Sequence, residues 1–148
     1  MISPESLRRH HCFAPIAEQS LKALAMIANE RSVPAGAVLF REGDRADALS
    51  IILEGRVDIQ YTLREGDLRT VDTLVEGDLL GWSALVEPYR MTGVAKTCSN
   101  TRLIDVDAKG LRVLCERDPL LGYRLLTQVV RLLADRLDGA RVQLAAVG

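Results

Sequence analysis

From Glu30 to Asp107 the chain is a succession of short β-prone runs (SVPAGAVLF, ALSIILEG, RVDIQYTL, LRTVDTLV, MTGVAKTC, TRLIDVD) broken by Gly-Asp or Gly-Arg turns. This punctuation leaves few folds open. The runs lack the helical spacers of βαβ units, so the pattern requires an antiparallel barrel or jelly roll. Helical spacing brackets them. It covers residues 4 to 29, with Ser3 or Ser20 available as N-caps and Leu21, Leu24, Met26 and Ile27 on an apolar face. It returns from Ala108, first as Lys109 to Arg117 and then, after Asp118-Pro119, as a long run to Val147.

Glu-Gly-Asp occurs three times, at 42 to 44, 65 to 67 and 76 to 78, always between expected strands. Glycine supplies a positive φ and aspartate bonds nearby backbone N–H groups, so these are read as turns rather than metal ligands. In the long C-terminal run, Leu126, Val130, Leu133, Leu137, Ala140 and Leu144 step by four and three as a heptad seam. Beside it, Leu125, Val129 and Leu132 form a second apolar strip. One face can cover the barrel while the other meets a second copy, or both can cover the chain's own barrel.

A length of 148 residues with 48% hydrophobic content suits one domain with a real core. A net charge of −1 supplies no general attraction to nucleic acid or anionic lipid. The apolar runs are too short for a membrane span, and the polar start MISPESLRRHHC is no signal peptide. Cys12, Cys98 and Cys115 lack the spacing of a metal site and read as reduced thiols, so the cytoplasm is the expected compartment. The two histidines, His10 and His11, are adjacent and make no metal cluster, and neither a nucleophile elbow nor a P-loop occurs. No enzyme, metal or cofactor is expected.

The segment Gly77 to Thr97 carries the chemistry. A Gly-Asp turn and Gly81 open a short helical stretch, Trp82 to Val86, which Pro88 closes before Arg90. Free N–H groups at a helix start favour an anion, glycine permits close approach, and a guanidinium grips two oxygens, which together make a phosphate seat.

Three blocks, PAGAVLFREGDRAD (34 to 47), ALSIILEGRVDI (48 to 59) and VEGDLLGWSALVEPYR (75 to 90), resemble successive signatures of the cyclic-nucleotide-binding domain of the catabolite activator protein and its relatives, including kinase regulatory subunits and gated channels. The resemblance spans nearly the whole chain. It implies a mainly β fold with flanking helices: a single domain over 1–148, with N-terminal helices (1–29), an eight-stranded antiparallel jelly-roll barrel (30–107) and C-terminal helices (108–148), the last one long. It also implies a phosphate-binding cassette between the sixth and seventh strands, with cAMP or cGMP as ligand.

The family's cassette reads roughly Gly-Glu-Leu/Ile-Ala-Leu, then Pro-Arg and small residues. Gly81, Ala84 and Leu85 match it, so the N–H groups of Ser83, Ala84 and Leu85 inherit the phosphate role. Trp82 stands where the family's glutamate would accept from the ribose 2′-hydroxyl, and indole has no acceptor. Trp82 either stacks on or narrows around a ligand, or plugs the nucleotide's space. Counting from Gly81 makes Arg90 the phosphate ligand, whereas counting back from Thr101-Arg102-Leu103 puts Met91 in that slot. Thr92 follows them as a further site candidate, and Gly55 and Arg56 are secondary ones. Because adjacent strand residues face opposite ways, one residue of register decides.

Two functions follow. One is a regulatory module in which a small phosphate ligand repositions the C-terminal helix about Asp118-Pro119. The other is a nucleotide-free module that pairs with a second copy or a partner protein. The family's transcription factors carry a helix-turn-helix after the long helix, for which this sequence has no room, so direct DNA contact and membrane contact are not expected.

Overall fold

Two four-stranded antiparallel sheets face each other in the computed structural model, which describes residues 2–147. The strands are β1 (Ala28–Val33), β2 (Val38–Phe40), β3 (Ala48–Glu54), β4 (Val57–Arg64), β5 (Asp67–Leu74), β6 (Leu79–Leu80), β7 (Val94–Thr97) and β8 (Thr101–Asp107). One sheet runs β1-β8-β3-β6 and the other β2-β7-β4-β5. Among the described residues the sheets share no paired edge, so the expected barrel is an open jelly-roll sandwich.

Burial on both faces explains why β3 reads ALSIIL rather than alternating. Leu49 and Ile51, with Ile104 and Val106 of β8 opposite, belong to the core beneath the helices. Ile52 and Leu103 join Val57, Leu74, Leu80 and Ala95 in the core between the sheets. All three Glu-Gly-Asp turns have left-handed glycines, with φ of 87°, 79° and 90° at Gly43, Gly66 and Gly77. Asp44 and Asp78 accept from the N–H groups of Arg41 and Val75, both at 2.8 Å.

The flanking helices are α1 (Pro4–Arg8), α2 (Glu18–Met26), α3 (Ala108–Arg117) and α4 (Pro119–Val147). Ser3 caps α1, its side chain accepting from Ser6 N–H at 3.1 Å. Three local expectations fail here. Helix spacing ends before residue 29, because Ala28 and Asn29 pair with Val106 and Asp105 as the start of β1. Met26 is 78% exposed while Leu21 and Leu24 are buried, so the apolar face of α2 is narrower than its composition suggests. Ser20 is not a cap but lies inside α2, where its hydroxyl donates to Asp118 Oδ2 at 2.6 Å.

Asp118 also accepts from Leu121 N–H at 3.2 Å through Oδ1, and Pro119 opens α4. The junction between α3 and α4 is thereby tied to α2. On α4 the expected seam is broken: Leu125 and Val129 are buried, and Leu126, Val130, Leu137 and Leu144 are exposed, but Leu133 and Ala140 of the seam turn with Leu132 onto a cavity against the chain's own sheets.

The Ser20 hydrogen bond, followed by that from Leu121, holds the Asp118 carboxyl below the usual carboxylate value. A lowered folded-state pKa contributes stability above the unfolded value, about 3.9, and that stability is lost as pH falls through the folded value. Ser20→Ala is therefore expected to destabilise the protein most at pH 7 and progressively less below pH about 4. Urea denaturation of both proteins across that range measures the difference.

Candidate functional site

Strand β6 pairs with β3 through Leu80 and Ser50, and the chain then turns at Gly81 with a left-handed φ of 82°. A Cβ on Gly81 would lie 2.7 Å from the Ala48 carbonyl oxygen. Glycine is required here by the approach of β3 as well as by the turn. A four-residue 3₁₀ turn follows, Trp82–Leu85, with Ser83 and Ala84 buried. The Ala84 N–H donates to the Gly81 carbonyl at 3.0 Å. Arg112 of α3 steadies the end of this segment: Nη1 donates to the Ala84 carbonyl at 2.7 Å, and the guanidinium lies 4.0 Å from the centre of the Tyr89 ring.

Backbone pairing settles how Arg90 and Met91 point. Arg90 forms a bridge with Arg45, Met91 N–H donates to the Asp44 carbonyl at 2.8 Å, and Gly43 N–H donates to the Met91 carbonyl at 2.9 Å. The segment is extended, so the two side chains diverge. Met91 is 6% exposed, and its Cε lies 3.5 Å from where a Cβ on Gly81 would sit, filling the space beneath that glycine. Arg90 is exposed and donates from Nη1 to the Gly43 carbonyl at 3.4 Å. With Gly81 and Met91 it borders a polar cavity that also holds Arg31, Arg45, Ser50 and Asp105. In that cavity Arg31 pairs with Asp105 at 2.8 Å and the Ser50 hydroxyl donates to Asp105 at 2.6 Å.

A second cavity, of about 270 Å³, lies between the 3₁₀ turn, the β4–β5 hairpin and α4. It brings together Gly81, Trp82, Ser83, Met91 and Thr92 of the expected site, whereas Ala84, Leu85 and Arg90 do not line it. Trp82 is half-buried in the wall and leaves the space open. Thr92 is exposed, with its hydroxyl 3.4 Å from that of Tyr61. Gly55 and Arg56 border neither cavity.

The residues the sequence did not reveal are Asp72 and Arg136, and the second role of Asp78. Arg136 of α4 donates from Nη1 to Asp72 Oδ1 at 2.9 Å and from Nη2 to Asp78 Oδ2 at 2.5 Å. This clamp fastens α4 across the cavity mouth, with charge-assisted bonds on both terminal nitrogens. The partners lie 64 and 58 residues away, and no local pattern announces them.

Residues 30–118 match the model of the cyclic nucleotide-binding domain. The chain belongs to that family. A protein from Geobacter metallireducens, assigned as cyclic nucleotide-binding, is 36% identical with a TM-score of 0.84, over 93% of this chain and 99% of that one. The Thermus thermophilus catabolite activator protein is 26% identical with a TM-score of 0.71, over 98% of this chain and 63% of that one. A CRP-like cAMP-activated global transcriptional regulator of Mycobacterium tuberculosis is 28% identical over 141 residues, which are 95% of this chain and 61% of that regulator's length. The chain thus spans less than two thirds of the curated regulator. Among the described residues no helix is long and apolar enough to cross a membrane, and no group of three or more His, Cys, Asp or Glu could hold a metal ion.

Gly81→Ala is expected to lower folding stability by roughly 1 to 3 kcal/mol with no ligand present, because the left-handed backbone and the Ala48 carbonyl both oppose a Cβ. Denaturant unfolding of the unliganded protein measures it.

Proposed function

We propose that this chain is a non-enzymatic regulatory module in which a small molecule enters the cavity under α4 and shifts the helix about Asp118 and Pro119. The Arg136 clamp carries this reading, since it makes the position of α4 depend on the wall of the cavity itself. A ligand moves α4 only by binding its two positions with different affinity. Three free cysteines support action in the reducing cytoplasm.

Family membership supports a cyclic nucleotide, cAMP or cGMP, or a related phosphate compound as the first ligand to test. The geometry supports weak binding of these. Trp82 offers the ribose no acceptor, and Arg90 borders the other cavity. Each missing charge-assisted hydrogen bond costs about 1.5 to 3 kcal/mol, on the order of ten- to hundredfold in affinity. Calorimetric titration with cAMP and cGMP is expected to give dissociation constants no tighter than about 100 μM. Submicromolar binding would overturn the assignment of Arg90 and Trp82 as departures that matter.

Met91 beneath Gly81 supports a second reading, a module that works through contact alone. Both readings use the exposed strip Leu126, Val130 and Leu137 of α4 to pair with a second copy or a partner chain. Light scattering is expected to give twice the chain mass for the wild type and the single-chain mass for Leu137→Asp. A monomer in both cases rejects the seam.

A further inference from the structure

The cavity under α4 has the opposite electrostatic character to a phosphate seat. Its charged wall groups are Asp72, Asp78 and Arg136. Each terminal nitrogen of Arg136 donates one hydrogen bond to a carboxylate, so the single cation is already charge-paired and the wall carries one more negative than positive charge. Arg90, the cation expected to serve an anion, does not line this cavity: it borders the adjoining polar one, which shares Gly81 and Met91 with it, and donates to the Gly43 carbonyl. The remaining wall is largely aliphatic and aromatic, including Phe40, Ile59, Leu79, Trp82, Leu132 and Leu133.

An anion entering this space gives up hydration, meets a cation already shared between two carboxylates and faces surplus negative charge. An uncharged aromatic molecule instead removes its own apolar surface and that of the wall from water, and meets the indole of Trp82. At about 270 Å³ the space lies just below the roughly 300 Å³ at which pockets for drug-sized molecules begin. That size suits two or three rings. We infer that the cavity takes an uncharged, largely aromatic small molecule in preference to a phosphate-bearing nucleotide, with the Arg136 clamp closing α4 over it. This deepens the ligand-gated reading above and rests on it.

Two probes with one ring system and different charge test the idea. N-phenyl-1-naphthylamine is neutral, and 1-anilinonaphthalene-8-sulfonate adds a single negative charge. Binding is followed by probe emission and by quenching of Trp82, the chain's one tryptophan. The neutral probe is expected to bind one per chain, at least tenfold tighter than the sulfonate. Leu133→Trp, which fills the cavity, is expected to abolish this binding while the far-ultraviolet circular dichroism stays native. Asp72→Asn, which removes the surplus negative charge, is expected to lower the ratio of the sulfonate to the neutral-probe dissociation constant about tenfold, whatever its effect on the affinity of both through the clamp.

Equal or tighter binding of the sulfonate or of cAMP by the wild type would overturn the ligand class while the ligand-gated module stood. Neutral-probe binding that survives in Leu133→Trp would place the probe elsewhere and overturn the inference. If neither probe nor cAMP perturbs Trp82, both the inference and the ligand-gated reading fail, and the contact-only module remains.

Discussion

The pairing of β3 with β8 has helices against one face and the second sheet against the other, and the rest of the molecule is hung from it. Leu49, Ile51, Ile104 and Val106 face the helices, while Ile52 and Leu103 face the opposing sheet. Full burial contributes about 1.5 to 3 kcal/mol for each such side chain, so this pair alone holds both cores in register. Strand β6 is aligned on β3, and the Ala48 carbonyl of β3 closes on Gly81. At the same end of β3, the Asp47 carbonyl accepts from Ala108 N–H, where β8 passes into α3. The cassette and the C-terminal helices are therefore referenced to one rigid pair of strands.

Against that frame, two arginines join the cassette to the helices. Arg112 binds the end of the 3₁₀ turn from α3 through the Ala84 carbonyl and the Tyr89 ring. Arg136 holds the approach to the cassette from α4 through Asp72 and Asp78. Asp78 also accepts from Val75 N–H within the Gly77 turn, so the residue that shapes the entry to β6 also anchors the long helix. A planar guanidinium with several donors in a fixed fork suits both tasks, and a lysine would satisfy only one acceptor direction well. Any displacement of the cassette relative to β5 alters the geometry of the Arg136 clamp directly.

The order of elements was legible because it depends on local chemistry. Gly-Asp turns require left-handed glycines and an aspartate to bind the preceding backbone, and Gly43, Gly66 and Gly77 all adopt that conformation. Asp118-Pro119 starts a helix by the same local logic. Local logic also misled. Ser20 has the chemistry of a cap, yet a partner 98 residues away engages it within α2. Ala28 follows helical spacing, yet pairing with Val106 makes it strand.

The amino-acid sequence by itself determined the family, the succession of helices and strands, the glycine at the cassette turn and the buried strip of Leu125 and Val129 on α4. The family rests on the resemblance of three sequence blocks, and the other features on interactions within a few residues of chain or on a period of side chains. Tertiary structure alone decided that the sheets stay unclosed, that Met91 turns inward and Arg90 away, and that Arg136 closes the cavity through Asp72 and Asp78. These outcomes depend on strand register and on charges brought together over 58 and 64 residues, and a single step of register reverses the direction of every side chain on a strand.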